Sequence, residues 1–386
     1  MAKLSPLNAL LSSQFLSAFV DNMLLFIVLA IIHRDGYPEY YLPFVQSTFL
    51  AAYILCSPWV GPFADKHAKA NVLVVGNAVK ASGVLLLALQ CNPALSYGVV
   101  GLGAVIYSPA KYGILPLLTD SEDALLRANS KLESFTILAI LSGSVGGGLL
   151  ADLSINLALF ASMLLYAASL AINTLIPKDP GNPALHYQNA VRRLYQDTAA
   201  LLGQRPSHYS LIGTSSFWMA SSVLRMIIFA WLPLTLGITS GTSISLIIAI
   251  TGVGIALGAT LTPHLIRLSQ YTRTRWFGLA MGLVILAFPL VHSLPPVLIL
   301  MLLTGVLGGI YIVPMNACLQ QVGHHCIGAG KTIAVQNFLE NLFMFLGVMA
   351  YTLASSAGIS PNVSLIATGG AFLLLVAYLY LYSRQK

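Results

Sequence analysis

Long, unbroken apolar runs separated by short polar breaks dominate this chain. A helix that crosses the hydrocarbon of a bilayer needs about 20 mostly apolar residues. Twelve stretches meet that demand: 8–32, 41–63, 71–90, 96–118, 132–151, 154–176, 208–236, 243–266, 274–292, 294–321, 332–355 and 361–383. Runs such as LLLALQ and FLLLVAYLYLY lack the period-two alternation of a transmembrane strand. The pattern therefore predicts an all-α membrane protein with twelve transmembrane helices. The longest polar break, 178–206, opens on Pro and Gly and carries an amphipathic run, Tyr187 to Leu202, expected to lie along the membrane surface. It divides the chain into an N-terminal six-helix bundle (1–177), a cytoplasmic linker (178–206) and a C-terminal six-helix bundle (207–386).

Composition removes the main rivals. Of 386 residues, 57% are hydrophobic and 8% charged, whereas soluble domains carry about 25% charged residues. A water-soluble enzyme and a disordered chain are both excluded. The net charge of +7 does not point to nucleic acid, because the basic residues are scattered through short inter-helix loops. Fifteen of the nineteen Lys and Arg fall on one side of the predicted topology, three lie inside spans, and only Arg34 falls on the other side. The positive-inside rule then places both termini in the cytoplasm. Cys56, Cys91, Cys318 and Cys326 make no CxxC pair and no metal-ligand spacing with His. No metal and no cofactor is expected. The first apolar stretch carries Asp21 near its middle and reads as a span, not as a cleavable signal.

The two halves read as repeats. Span four (GLGAVIYSPAKYGIL) and span ten (TGVLGGIYIVPMNACL) share small residues, an Ile-Tyr step at Tyr107 and Tyr311, and a proline soon after, Pro109 and Pro314. Spans one and seven superimpose with a charge near the middle of each, a plan common among transporters.

Charges at bilayer depth cost about 2.5–3.5 kcal/mol each and face the bundle interior. This chain keeps Asp21, Lys80, Lys111, Arg225 and Glu340 there, with Glu133 at an interface. Helical spacing gives them company. Gln14, Ser17 and Asp21 share a face, with Asn22 at its edge; Trp218, Ser221, Ser222 and Arg225 do the same. Gly103, Tyr107 and Lys111 step by four, and Gln336, Asn337, Glu340 and Asn341 form a dense polar stripe. Four polar faces, two from each half, are expected to line one water-accessible cavity. Asp21, Asn22, Lys111, Arg225 and Glu340 are the expected binding and gating residues. Gln14, Ser17, Lys80, Tyr107, Ser222, Gln336, Asn337 and Asn341 are secondary lining. A bland alternative stays open: Asp21 with Arg225, and Lys111 with Glu340, could be structural pairs. Lys80 could equally be a helix–helix hydrogen-bonding residue.

Between spans two and three the chain reads Gly61-Pro-Phe-Ala-Asp65-Lys66-His-Ala-Lys69. Asp65 can accept bonds from helix N-termini there, making Gly61, Asp65, Lys66 and Lys69 a candidate cytoplasmic gate. The loop resembles the G-x-x-x-D-[RK]-x-[GA]-[RK] motif of the major facilitator superfamily; the matching loop of the second half, Gly258 to Arg267, lacks the Asp. Gly330-Lys331-Thr332 is not a P-loop, since His325 stands where its first Gly belongs. The glycine run Gly143 to Gly148 reads as close helix packing. No GxSxG, HExxH or H-x-x-x-x-D is present, so no enzyme is expected.

The stretches QFLSAFVDNMLLF, YSPAKYGILPLLT, FWMASSVLRMIIFAWLPLTLGIT and GAGKTIAVQNFLENL go further. They resemble the bacterial lysophospholipid transporters within that superfamily, over nearly the whole chain. The resemblance implies the major facilitator fold of two pseudo-symmetric bundles. It also implies a multi-pass, monomeric flippase of the bacterial inner membrane, working by alternating access. Its substrates would be lysophosphatidylethanolamine and lysophosphatidylglycerol, moved from the outer to the inner leaflet. A cytoplasmic-side acyltransferase/acyl-ACP synthetase would then re-acylate them. The family's important charges fall on Asp21, Asp65, Lys111 and Arg225. A drug/proton antiporter of the same fold is the alternative.

Overall fold

The computed structural model describes residues 5–184 and 187–384, without the side chains of several helical residues between 122 and 133, of Leu268 and of Ala329. Lys3, Lys386 and the side chains of Arg127 and Glu133 thus lie outside the described residues. The described residues form thirteen α-helices: α1 (Pro6–Arg34), α2 (Tyr41–Lys66), α3 (Lys69–Ala88), α4 (Pro93–Gly113), α5 (Glu122–Leu153), α6 (Ile155–Asn173), α7 (Ala190–Gly203), α8 (Arg205–Leu236), α9 (Gly241–Leu265), α10 (Thr274–Ala287), α11 (Leu294–Cys326), α12 (Ala329–Ser356) and α13 (Pro361–Arg384). Among the described residues there is no strand. Each of the twelve spans read from the sequence overlaps one long helix, and α7 overlaps the amphipathic run. Among the described residues eleven helices are long and apolar enough to cross a membrane. The exception is α4, whose 21 residues are diluted by Gly, Ser, Tyr and Pro.

Local chemistry sets the helix ends. The side chains of Ser5, Asn92, Ser154 and Ser240 accept backbone N–H bonds at the starts of α1, α4, α6 and α9. Pro6 and Pro93 occupy first-turn positions, where the missing N–H costs nothing.

The helices form two compact units, one of residues 1–37 and 45–193, the other of 38–44 and 194–386. Within the first, α1 packs on α5 and α6, and α3 on α4 and α6. Within the second, α8 packs on α12 and α13, and α10 on α11 and α13. The pairings match one for one, as a duplicated six-helix plan requires.

Small residues let the backbones approach, as interhelical packing in membranes demands. A Cβ on Gly103 of α4 would stand 2.6 Å from the Gly76 carbonyl oxygen and 2.6 Å from Lys80 Cγ on α3. The run Gly143 to Gly148 is packing, with Gly143 against the Phe19 backbone and Gly147 against Met23 of α1. The outer faces are apolar: Leu55, Leu89, Leu153, Phe160 and Leu374 are all exposed. Exposed apolar surface on that scale suits lipid, not water.

Candidate functional site

The N-terminal unit buries a continuous polar network in an otherwise apolar bundle. Lys80, on α3, is 2% exposed and donates to Asp21 Oδ2 of α1 at 2.6 Å and to Ser17 Oγ at 2.9 Å. Its ammonium also lies 4.8 Å from the Tyr107 ring centroid and 5.9 Å from that of Tyr166, so aromatic faces take the place of further acceptors. Asp21 is met from a third helix, Tyr166 of α6 donating to Oδ1 at 2.6 Å. Ser17 donates to Asn77 Oδ1 at 2.8 Å, and Asn77 Nδ2 donates to Ser169 Oγ at 2.8 Å. Ser169 and Ser13 pair at 2.9 Å, Ser13 also bonds Asn173, and Ser13 and the Tyr107 hydroxyl stand 3.3 Å apart. Four helices are thus tied by one chain of bonds ending on a single carboxylate. The Asp21 side chain is 20% exposed while its cation is 2% exposed. The anion is therefore the accessible end of the pair.

The sequence-predicted residues divide accordingly. Asp21, Ser17, Lys80 and Tyr107 come together. Lys80, read from the sequence as secondary lining or as a helix–helix hydrogen-bonding residue, is a cation that Asp21 holds; Arg225 is carried by α8, in the other unit. Gln14 is buried and donates to Thr136 of α5 at 3.0 Å. Asn22 bonds the Ala18 carbonyl one turn back on its own helix. Lys111 lies 4.8 Å from the Tyr112 ring centroid.

In the C-terminal unit, Gln336 of α12 donates to Glu340 Oε1 and to Asn316 Oδ1 of α11, each at 2.8 Å. Asn341 donates to the Asn337 carbonyl at 2.7 Å. Glu340 is 8% exposed. Arg225 and Ser222 are half-buried on α8.

The duplicated plan reaches atomic detail. Ser216 and the Tyr311 hydroxyl stand 3.3 Å apart, as Ser13 and Tyr107 do. Tyr311 backs onto Gly278 of α10 as Tyr107 backs onto Gly76 of α3. The register that lays Ser13 on Ser216 also lays Val20-Asp21-Asn22-Met23 on Val223-Leu224-Arg225-Met226. Asn22, not Asp21, is therefore the counterpart of Arg225, and the counterparts of Asp21 and Lys80 are Leu224 and Gly282. The Asp21–Lys80 pair belongs to one half only.

At the α2–α3 turn the expected role of Asp65 passes to another residue. Asp65 stays helical in the last turn of α2, where carbonyl ends gather, and its side chain is 65% exposed and 4.0 Å from Lys69 Nζ. Asp179 supplies the missing anion at the start of α3. Its Oδ1 accepts from the Lys69 amide at 2.5 Å and its Oδ2 from Lys69 Nζ at 3.0 Å. Burial pushes the Asp179 carboxyl up, but the Lys69 amide and ammonium outweigh it and hold it below the usual carboxylate range. Gly181 completes the turn with φ +64°, its Cα close enough that a Cβ would lie 2.7 Å from the Lys66 carbonyl oxygen. The Asn182 amide bonds the Asp65 carbonyl at 2.9 Å, and Lys66 lies over the Tyr187 ring at 5.0 Å. Gly61 has open space around it.

Tyr166, Asn77, Ser169, Asn173, Asn316 and Asp179 were not anticipated. The signal for three of them was present: Ser162, Tyr166, Ser169 and Asn173 step by four, three and four along span six, a buried polar stripe at helical period.

Among the described residues no group of His, Cys, Asp and Glu has the arrangement of a metal site. The four cysteines are free.

Comparison with known proteins adds the family. The Major Facilitator Superfamily description matches residues 10–348. Relatives from Klebsiella pneumoniae and Citrobacter koseri, each named lysophospholipid transporter LplT, are both 41% identical, over 98% of this chain and 96% of their own. A solved nucleoside transporter, NupG, has a TM-score of 0.72 at 13% identity, covering 98% of this chain and 100% of its own, a likeness of fold alone. Twelve long helices, a duplicated six-helix plan and these matches agree: the chain belongs to the Major Facilitator Superfamily, in the family of the LplT relatives.

Proposed function

We propose that this protein is a transporter, not an enzyme, and moves lysophospholipids from the outer to the inner leaflet of a bacterial inner membrane. The observation that carries the reading is the 41% identity over 98% of the chain to relatives named lysophospholipid transporter. The chemistry of the units supports it. A lysophospholipid offers a phosphate, often an ammonium, and one acyl chain. Arg225 and Lys111 suit the phosphate, Arg with two parallel bonds. The exposed edge of the Asp21 carboxylate suits an ammonium. An ammonium that takes Asp21 must loosen Lys80 and Tyr166, so binding and the packing of α1 against α3 and α6 are linked. A ligand shifts a conformational equilibrium only by binding the two states unequally, and this exchange of partners supplies such a difference.

In the same reading the protein is a monomer with both termini in the cytoplasm, its halves alternating in access. It delivers its product to a cytoplasmic-side acyltransferase/acyl-ACP synthetase. The test is a leaflet-resolved assay in proteoliposomes, with fluorescent lysolipids differing only in headgroup. Wild-type protein is expected to move lysophosphatidylethanolamine inward, and Asp21→Asn and Arg225→Gln to lose that activity. No inward movement by the wild-type protein would refute the proposal, and undiminished flipping by both variants would refute the roles given to Asp21 and Arg225.

A further inference from the structure

One cluster outside this site has no part in the transport chemistry. Arg275, in the first turn of α10, and Arg384, the last residue of α13, converge on one ring. Their guanidinium carbons lie 4.9 and 4.5 Å from the Tyr380 centroid. Trp276 meets the same ring edge-on at 6.4 Å. Ser383 fixes one Arg275 nitrogen at 2.9 Å, while Arg275 Nε is buried with no acceptor among the described residues. Among the described residues neither arginine has a carboxylate in ion-pair range. Two cations gathered on one ring without an anion repel each other, and a buried N–H without an acceptor is costly. Both deficits are met by one multivalent oxyanion.

The location says which. Both α10 and α13 lie within candidate spans, so their charged ends stand where a bilayer places its phosphates. Below Arg275, the exposed Trp276, Leu279 and Leu283 descend one face of α10 at helical spacing. An exposed Trp at the head of an apolar stripe is the pattern of a membrane interface.

We propose that Arg275, Arg384 and the Tyr380 ring between them form a binding site for the phosphate of an anionic membrane phospholipid, whose acyl chains lie along Trp276, Leu279 and Leu283. The site is separate from the polar cores of the two units and does not depend on what the protein transports. Arg384 contributes a charge-assisted bond that alanine cannot replace. Arg275 contributes a planar fork that Lys reproduces only as a point charge.

The full-length protein in nanodiscs of phosphatidylethanolamine and phosphatidylglycerol, released into native mass spectrometry, reads the site directly as the fraction carrying phosphatidylglycerol. Arg384→Ala, at the last helical residue, is expected to lower apparent affinity about tenfold, the loss of one charge-assisted contact. Arg275→Lys is expected to lower it by a smaller factor, and Lys331→Ala, an exposed cation elsewhere, to leave it unchanged. Retention equal to wild type in both arginine variants overturns the proposal. So does an equal loss in Lys331→Ala, which would mean unspecific charge attraction. Displacement of the lipid by millimolar inorganic phosphate would assign the cluster to free phosphate and overturn the lipid reading as well.

Discussion

Replacing Lys80 with Met tests whether the buried pair in the N-terminal unit is what holds α1 to α3. The substitution keeps an unbranched side chain one atom shorter and removes its charge. It leaves the Asp21 carboxylate with one donor, Tyr166, in an apolar bundle. Breaking one side of a buried ion pair costs about 3–5 kcal/mol, and the 20% exposure of Asp21 puts this case at about 3 kcal/mol. Removing both charges, in Asp21→Asn/Lys80→Met, leaves no orphan ion and is expected to return stability to within about 1 kcal/mol of wild type. Asp21→Asn alone also leaves the buried Lys80 ammonium without its anion, so the coupling energy from the double-mutant cycle is at least about 2 kcal/mol. That figure separates an ion pair from a neutral interhelical hydrogen bond, which averages about 0.6 kcal/mol in membranes. Unfolding of the purified protein in mixed micelles of increasing SDS fraction gives all four free energies. A coupling below about 0.5 kcal/mol, or a Lys80→Met cost no larger than that of Lys331→Met, would refute the reasoning.

Three further outcomes are expected. Tyr166→Phe removes a 2.6 Å bond to a carboxylate and is expected to cost about 1.5 kcal/mol in the same titration, with no additional cost on top of Asp21→Leu. Gly103→Ala forces a Cβ to 2.6 Å from the Gly76 carbonyl oxygen and is expected to destabilise by about 1–3 kcal/mol, whereas Gly61→Ala, with open space around it, is expected to be neutral or slightly stabilising in a thermal melt. Asp179 has a folded-state pKa lowered below its usual 3.8, so its contribution is present above that value and disappears as pH falls through the lower folded value. Hydrogen exchange at the α2–α3 turn is expected to accelerate in that acid window, and Asp179→Asn to show the fast exchange already at neutral pH. Unchanged exchange in the variant counts against the role given to Asp179.

Hydropathy made the twelve long helices legible because the lipid-facing residues of each span are apolar almost without interruption. The duplication was legible at Tyr107 and Tyr311, since each tyrosine keeps its serine and its glycine. The intramembrane charges were legible as a set of costly residues, but the Asp21–Lys80 pairing was not. A structural pairing of Asp21 with Arg225 was one reading the sequence left open, because each half carries a charge near mid-span. The partners that Asp21 meets inside its own unit had a signal on span three, where Asn77 and Lys80 share a face, and on span six, where a serine–tyrosine–asparagine stripe runs at helical period. Asp65 was misjudged for a different reason. Its motif fixes the residue but not where α2 ends, and one more helical turn left the amide of Lys69 to an anion from the linker, over a hundred residues away in sequence.

The matched tyrosines have a practical consequence. Tyr107 and Tyr311 hold the same serine at the same separation against the same glycine-backed neighbour, but only Tyr107 has an ammonium over its ring. Nature has thus provided one scaffold twice, charged and uncharged, within a single polypeptide. Whatever a phenylalanine at each position does in common belongs to the scaffold, and the remainder measures what electrical charge adds to a membrane bundle.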